Sequence, residues 1–389
     1  MTERARQLRQ AFFAGLALFV GGMLAITAYT LWRLHGESLS NGLALSASYA
    51  HSAEDFLTQN LHVTELAAAN AGLTDNEVPN VRNIEHSFVT TLQHTPFLRS
   101  LSLLDAQGRI MASSNPANVG VLVATDSYLP QVTSNPALLR IGQPWAGRDF
   151  ADGRPSTTQT PVAPDALNFV PLTRTLKAGQ RSVTLLVALN PDYFINHLSQ
   201  TLEAAQGSIE VLRYDGTSLM DTDASARAGS QHEYIVRDLR LTEIEAGQFE
   251  QDTGEAQREL TAYRASRLYP FVVMAHLHRD QALQSWRTAA QTLLGVVIPT
   301  LLLICFLAVA FYRRQLQLAA QRAEAERLQR ITATVFEAST EAIIITDRDA
   351  NIVSVNSAFT RITGYSEKEV LGLNRLLKYW SSNRPWVPV

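Results

Sequence analysis

Cysteine is almost missing: one residue, Cys305, in a chain of 389. That excludes a disulfide-stapled fold and a cysteine-ligated zinc centre. Charge is also sparse, at 18% Asp, Glu, Lys and Arg, and nearly balanced, with 33 basic residues against 36 acidic. The balance excludes the strongly basic surface that nucleic acid requires, so no nucleic-acid partner is expected. There is no G-x-x-x-x-G-K phosphate loop, no H-E-x-x-H metal helix and no Ser/His/Asp spacing of a hydrolase. We therefore expect no catalytic residue, no cofactor and no metal site, and no enzymatic activity in the chain as it stands. His276 and His278 would share one face of a strand, but no neighbouring carboxylate or cysteine in the sequence completes a metal site.

The scarce charges are unevenly placed. From Ala11 to Trp32 there are 22 consecutive uncharged residues, and from Thr288 to Tyr312 there are 25. As a helix the first run extends about 33 Å, enough to cross a bilayer. The second contains Pro299, which a membrane helix tolerates as a kink. The first run is longer than the apolar region of a signal peptide and no clear small-x-small cleavage site follows before the polar Arg33-Leu34-His35, so it reads as an uncleaved anchor. Arg4, Arg6 and Arg9 precede the first run, and Arg313 and Arg314 follow the second. The positive-inside rule then puts both termini in the cytoplasm and residues 33–287, with 19 basic and 27 acidic side chains, outside. Tyr29, Trp32, Trp286 and Tyr312 stand near the span ends as interfacial anchors. The expected order is a cytoplasmic tail (1–10), a first transmembrane helix (11–32), a periplasmic domain (33–287), a second transmembrane helix (288–312), a signalling helix (313–335) and a partial domain (336–389). That order predicts a multi-pass protein with the lipid bilayer as its first partner.

Inside 33–287 the fold class reads as α+β. Residues 37–71 carry Leu39, Leu43, Ala47, Ala50, Phe56, Leu57, Leu61 and Leu66 close to helical period and no proline, which predicts a long stalk helix leaving the membrane. A second amphipathic stretch spans Val78–His94. Two hairpin-like segments follow, 100–114 turning at Asp105-Ala-Gln-Gly108 and 208–222 turning at Asp215-Gly216. They form a weak repeat about 110 residues apart, which predicts two similar modules in series. A small-molecule pocket needs a few polar groups converging among apolar walls. Tyr128, Arg140, Trp145, Arg148, Asp149, Phe169, Arg174 and Asp192 are the candidates: Arg to grip a carboxylate, Trp and Phe as walls, Asp to hold an ammonium group.

The stalk, the two hairpins, the Ile141-Gly142…Pro144…Gly147-Arg148 sequence and the strand-to-helix step at Ala188-Leu-Asn-Pro-Asp-Tyr-Phe194 resemble the double Cache family of extracytoplasmic sensors. That resemblance implies tandem PAS-like modules on the stalk helix, with a small ligand bound in the membrane-distal one. The closely spaced Tyr, Arg and Trp by which family members bind amino acids are not reproduced intact.

After the second apolar run, Leu328, Ile331, Val335 and Ala338 recur at alternating 3/4 spacing, as in a coiled coil, which favours a parallel homodimer. Ala342–Thr346 and Ile352–Asn356 read as strands around an Asp347–Asn351 turn, a helix opens at Ser357 and ends at Gly364, and Ser366-Glu-Lys-Glu369 has capping-box spacing. Asn356, Phe359, Thr363-Gly364-Tyr365, Glu369 and Gly372 closely resemble the opening half of a PAS domain. After Gly372, Trp380, Pro385, Trp386 and Pro388 show no strand pattern, so a partial PAS fold is expected. The arrangement resembles the sensory half of a cyclic-di-GMP diguanylate cyclase or phosphodiesterase, although neither a GGDEF nor an EAL motif is present. The sensory half of a histidine kinase or chemoreceptor, and a non-catalytic chain that heterodimerises with a full-length receptor, are the alternatives.

Overall fold

The computed structural model describes residues 3–69, 81–131, 138–178, 181–202, 207–232, 244–252 and 258–374. The expectation for Trp380, Pro385, Trp386 and Pro388, and the start of the second helical stretch at Val78, lie outside the described residues. The chain divides into two compact units, residues 18–294 and residues 1–17 with 295–389.

Helix α1 (Glu3–Ala69) runs unbroken for 67 residues. No proline interrupts it, and the hydroxyls of Thr27 and Thr30 donate back to Met23 O and Ile26 O, as they do on an apolar helix surface. After α2 (Val81–Gln93) come β1 (Leu98–Leu104), β2 (Ile110–Ser113), β3 (Arg140–Ile141), β4 (Trp145–Ala146), β5 (Arg154–Pro155), β6 (Asn168–Ala178) and β7 (Arg181–Leu189). They form one antiparallel sheet in the order β2-β1-β7-β6-β4-β5, with β3 also on β6. Helix α3 (Pro191–Leu202) leads to a second antiparallel sheet of β8 (Gly207–Arg213), β9 (Ser218–Asp221), β10 (Ala246–Asp252), β11 (Arg258–Ala265) and β12 (Phe271–His278), ordered β10-β11-β12-β8-β9.

The two sheets repeat one plan. Each opens with a hairpin, β1–β2 or β8–β9, whose first strand pairs with the sheet's last strand, β7 or β12. Both hairpin turns use the same chemistry. Asp105 Oδ1 accepts from Gln107 N at 2.9 Å and Asp215 Oδ1 accepts from Thr217 N at 3.2 Å. Gly108 and Gly216 then take φ of 82° and 84°, a conformation costly for any residue with a Cβ.

Both sheets share one core, and α1 supplies its spine. Ala50, Ala53, Leu57 and Leu61 of α1 pack with Leu101, Leu103, Val187 and Leu189 of the first sheet and Ile209, Val211, Val273 and Ala275 of the second. Leu66, expected in the same stripe, is exposed. Small residues on α1 mark where it touches the second sheet. Ser46 is fully buried, and its hydroxyl donates to Leu260 O (2.9 Å) and Ala275 O (2.8 Å). A Cβ on Gly42 would lie 2.5 Å from Leu260 Cδ1 and 2.9 Å from Ala282 Cβ.

After the second sheet, α4 (Arg279–Ala282) precedes α5 (Gln284–Ala338), which contains Pro299. Helices α1 and α5 are long and apolar enough to cross a membrane, and only 6% of each apolar window is buried in protein. Within residues 1–17 and 295–389, the Phe12 and Phe13 rings each lie 5.4 Å from that of Tyr312. Leu328, Ile331 and Val335, the heptad-like positions of α5, are exposed.

The same unit ends in β13 (Ile344–Thr346), β14 (Ile352–Val355), α6 (Ser357–Thr363) and α7 (Glu367–Val370), around a small core of Ile352, Val355, Phe359 and Val370. Asn356 organises it. Its Oδ1 accepts from Phe359 N (2.9 Å) and Ile343 N (3.0 Å), while its Nδ2 donates to Glu341 O (2.8 Å) and Phe336 O (3.1 Å). One side chain thus caps α6, holds the entry to β13 and ties both to the end of α5.

The close approach of α1 to the second sheet generates a paired prediction. Gly42→Ala should lower the melting temperature of the purified chain, since an overpacked contact costs about 1–3 kcal/mol. Gly36→Ala, on the same helix with nothing within 4 Å of the added Cβ, should raise it through helix propensity worth about 1 kcal/mol. Equal effects of the two substitutions in thermal unfolding would contradict this placement of α1.

Candidate functional site

The face of the first sheet turned away from α1 carries an unusual interior. Leu101 and Leu103 enter the core shared with α1, so strand alternation turns Ser100, Ser102 and Leu104 the other way. There the hydroxyls of Ser102 and Ser113 meet at 2.8 Å, and Asp149, itself buried, accepts from Ser100 Oγ (2.6 Å), Asn115 Nδ2 (2.8 Å) and Phe150 N (2.8 Å). Asn118 Nδ2 lies 3.4 Å from both Ser100 Oγ and Ser113 Oγ. Beside this network stands an aromatic wall: Trp145, Phe150 and Phe169 are all buried, with ring centroids 4.9–5.8 Å apart. A carboxylate held by hydroxyls and amides next to three aromatic rings is the polar and apolar mixture of a small-molecule site.

Arg99, which had not been singled out, gathers the rim. Its Nη2 donates to Asp192 Oδ2 (2.8 Å) and Asn190 Oδ1 (2.9 Å), and its Nη1 reaches Arg148 O (3.3 Å) and Gly147 O (3.4 Å). The Arg148 carbonyl and the Asp192 carboxylate therefore lie around one guanidinium, on which the Asp149 charge also acts. The Arg148 side chain itself is exposed. The loop returns on Asp152, whose carboxyl is held below the usual carboxylate range by backbone N–H groups, that of Arg148 first and that of Asp149 next.

Tyr128 and Arg140 meet elsewhere. Arg140 Nε donates to Pro130 O (2.9 Å), and its Nη2 donates to Thr125 O (2.9 Å) and Tyr128 O (3.0 Å), so its donors are committed to the 125–130 loop. The Tyr128 ring is buried against Gly142 and Pro171, and its hydroxyl is buried without a hydrogen-bond partner. From the second sheet comes Arg213, 2% exposed, which pairs with Asp215 and donates through Nη1 to Ser127 O and Ile141 O, both at 3.2 Å. One buried guanidinium thus fastens the modules together. Arg174 is apart from all of these. It stands five residues beyond Phe169 on β6, an odd step that turns it to the opposite face, where Nη1 lies 3.5 Å from Glu65 Oε1 of α1.

The second sheet has its own titratable group. His232 Nε2 lies 3.1 Å from Glu210 Oε1, a hydrogen bond that raises the histidine pKa above its ordinary value. Asp221, opposite Glu210 in the β8–β9 register, is pushed up to about 7 by burial and by the Glu210 charge. Burial lowers His276, whose Nδ1 is 3.0 Å from Thr261 Oγ1. The carboxylate that the sequence did not reveal beside His276 and His278 is Glu259 on the adjacent strand, 3.6 Å and 3.7 Å away. Cross-strand register alone brings it there.

Among families of known domains, the PAS fold matches residues 310–383. The match begins within α5, ahead of the boundary expected at 336. No curated protein matches the chain. Among solved structures, the extracellular domain of a protein described as a histidine kinase, rpHK1S-Z16, is similar at 18% identity and TM-score 0.48, over 64% of this chain and 98% of that one. The periplasmic domain of RsbU from Chlamydia trachomatis is similar at 16% identity and TM-score 0.41, over 65% and 98%. The ligand-binding domain of the Pseudomonas fluorescens chemoreceptor CtaA, solved with L-alanine, is similar at 16% identity and TM-score 0.42, over 62% and 97%.

Two predictions follow from this geometry. Asp149→Ala strands the Ser100 hydroxyl and the Asn115 amide in the interior and should cost about 2 kcal/mol or more, whereas Arg148→Ala at an exposed position should stay within about 0.5 kcal/mol of the parent in chemical unfolding. A carboxyl whose folded pKa is raised adds stability that is complete below its unfolded pKa and is lost as pH rises through the folded value. Asp221→Asn should therefore raise the melting temperature at pH about 8 and much less at pH about 5. A gain independent of pH would show that Asp221 is not held protonated.

Proposed function

We propose that the chain is the sensory part of a membrane receptor: an extracytoplasmic ligand-binding region of the double Cache type, residues 33–287, held by two transmembrane helices and joined through α5 to a PAS segment. The observation that carries this reading is the buried Asp149 network beside Trp145, Phe150 and Phe169, on the face of a sheet whose other face rests on α1. A ligand seated there exchanges contacts with the same sheet that grips the helix. The apolar lengths of α1 and α5 and the PAS match from 310 to 383 support the remaining parts. Trp145, Asp149 and Phe169 form the pocket, with Arg148 and Asp192 at its rim. Tyr128 and Arg140 brace the neighbouring loop.

The signal is a difference in ligand affinity between two arrangements of the sheets on α1. Helices α1 and α5 carry that difference across a bacterial inner membrane, both termini being cytoplasmic. The exposed heptad-like face of α5 pairs with a second copy, making a parallel homodimer. The chain itself performs no catalysis, and the output it serves is of the cyclic-di-GMP kind.

Thermal unfolding of the chain in lipid nanodiscs against a panel of amino acids, carboxylates and amines tests the pocket, because a bound ligand raises stability by mass action. We expect a hit whose shift disappears in Trp145→Ala and in Asp149→Asn. A hit that keeps its full shift in both variants would remove the pocket from this face.

A further inference from the structure

In the second module, strand alternation turns Glu210 away from the core that Ile209 and Val211 share with α1. Its carboxylate is buried, and Asp221 stands directly opposite it in the β8–β9 register. Like charges that face each other across two strands are destabilising. The counter-charge comes from further along the chain, where His232 Nε2 lies 3.1 Å from Glu210 Oε1. His232 ends a strap, residues 226–232, that is fastened on both sides. On one side it follows the start of β9 and the turn before it: Ser218 N donates to Ser230 O (2.9 Å), Gly229 N to Ser218 O (2.7 Å) and His232 N to Gly216 O (2.8 Å). On the other it meets the first module, where Val162 N donates to Ala228 O (2.8 Å) and a Cβ on Gly229 would lie 2.3 Å from Ser156 Oγ. The two carboxyls and the imidazole therefore sit where the second module holds the first.

We propose that Glu210, Asp221 and His232 are a proton-operated latch, which holds the strap, and through it the 156–163 loop of the first module, when Asp221 and His232 carry protons and releases it when they lose them. With both protonated, one carboxylate faces one imidazolium. With both deprotonated, two carboxylates face each other beside a neutral ring. The shifts have the sign this needs: burial, and then the Glu210 charge, push Asp221 up to about 7, and the hydrogen bond with Glu210 raises His232. A group whose folded pKa is raised adds stability that is complete below its unfolded value and is lost as pH rises through the folded value. Both groups therefore favour the latched form in acid and give up that contribution between about pH 5 and 8. The other described charges around the carboxylates do not replace the histidine. Asp223, from the turn after β9, and Asp165 and Asp192, which line the same cleft as Asp221, are acidic, and Arg99 is taken by Asp192. Arg227 of the strap is exposed. On β12, burial lowers His276, and His278 stands by Glu259 of β11. His276 carries the opposite sign and opposes the fold below about pH 6.5, which gives latching an optimum in place of a plateau. The latch is a property of the two modules alone; as an external signal it rests on the receptor reading above.

Amide hydrogen exchange of the whole chain in nanodiscs, read over residues 156–163 and 216–232 and corrected for the intrinsic effect of pH, tests the latch. Protection of Val162, Ser218, Gly229 and His232 should fall about tenfold or more between pH about 5.5 and about 8, since one unit of pKa displacement is a tenfold change in an equilibrium. The amides of β6 and β7 should keep theirs. In the double variant Asp221→Asn, His232→Gln, protection should no longer depend on pH. Trp145→Ala, in the aromatic pocket, should retain the response of the parent. Equal protection at the two pH values, or equal falls in the strap and in β6–β7, would overturn the proposal whether or not the double variant folds. So would a pH dependence that persists in the folded double variant. A response lost in Trp145→Ala would move the pH sensor to the aromatic pocket and overturn the latch as well. None of these failures touches the membrane crossing, which side-specific labelling tests by itself.

Discussion

The fully buried hydroxyl of Ser46 reaches the carbonyls of Leu260 and Ala275 on adjacent strands of the second sheet, at 2.9 and 2.8 Å. A helix that comes this near a sheet needs small residues at the crossing, and α1 provides them in sequence: Gly42, Ser46, Ala50 and Ala53. Larger side chains, Leu57 and Leu61, then fill the core shared with the first sheet. One helix is therefore the common wall of both modules. Neither sheet can shift on it without disturbing a core in which the other takes part, because packed interiors switch between discrete arrangements more readily than they deform.

That constraint leaves the opposite faces for chemistry. In the first module, the residues that strand alternation turns away from α1 are Ser100 and Ser102, joined by the buried Asp149 and its aromatic neighbours. In the second, Glu210, His232 and Asp221 form a titratable group. Arg213 connects the two by crossing from β8 to the carbonyls of Ser127 and Ile141, with Asp215 as its counter-charge. An arginine 2% exposed is expensive to desolvate, and its remaining donors are spent on fixed backbone acceptors. It gives the junction one register.

Much of this architecture was legible as local pattern. The Asp-x-x-Gly and Asp-Gly turns, the proline-free stalk, the helix opening at Ser357 and the Ser366–Glu369 box each depend on neighbours within a few residues, and each stands where its pattern indicates. Trp145 and Asp149 stand four residues apart in one short segment, whereas Phe169 meets Trp145 only through the β4–β6 register. Other features depend on partners far along the chain. Ser100 and Asn115 reach Asp149 from 49 and 34 residues away. Glu259 finds His276 and His278 only through strand register. Arg174 shares its strand with Phe169, yet an odd spacing of five residues turns it to Glu65 on the other face.

The proposed receptor role requires the two sheets and the PAS segment to work on opposite sides of a membrane crossed by α1 and α5. It can be tested with single cysteines, because Cys305 is the only native one and can be replaced by serine. In that background, Gln159→Cys lies in an exposed turn of the first module and Ala323→Cys on the exposed surface of α5. A membrane-impermeant maleimide applied to intact cells should label Gln159→Cys at once and Ala323→Cys only after the membrane is permeabilised. Equal labelling of both in intact cells, or labelling of Ala323→Cys alone, would contradict the account.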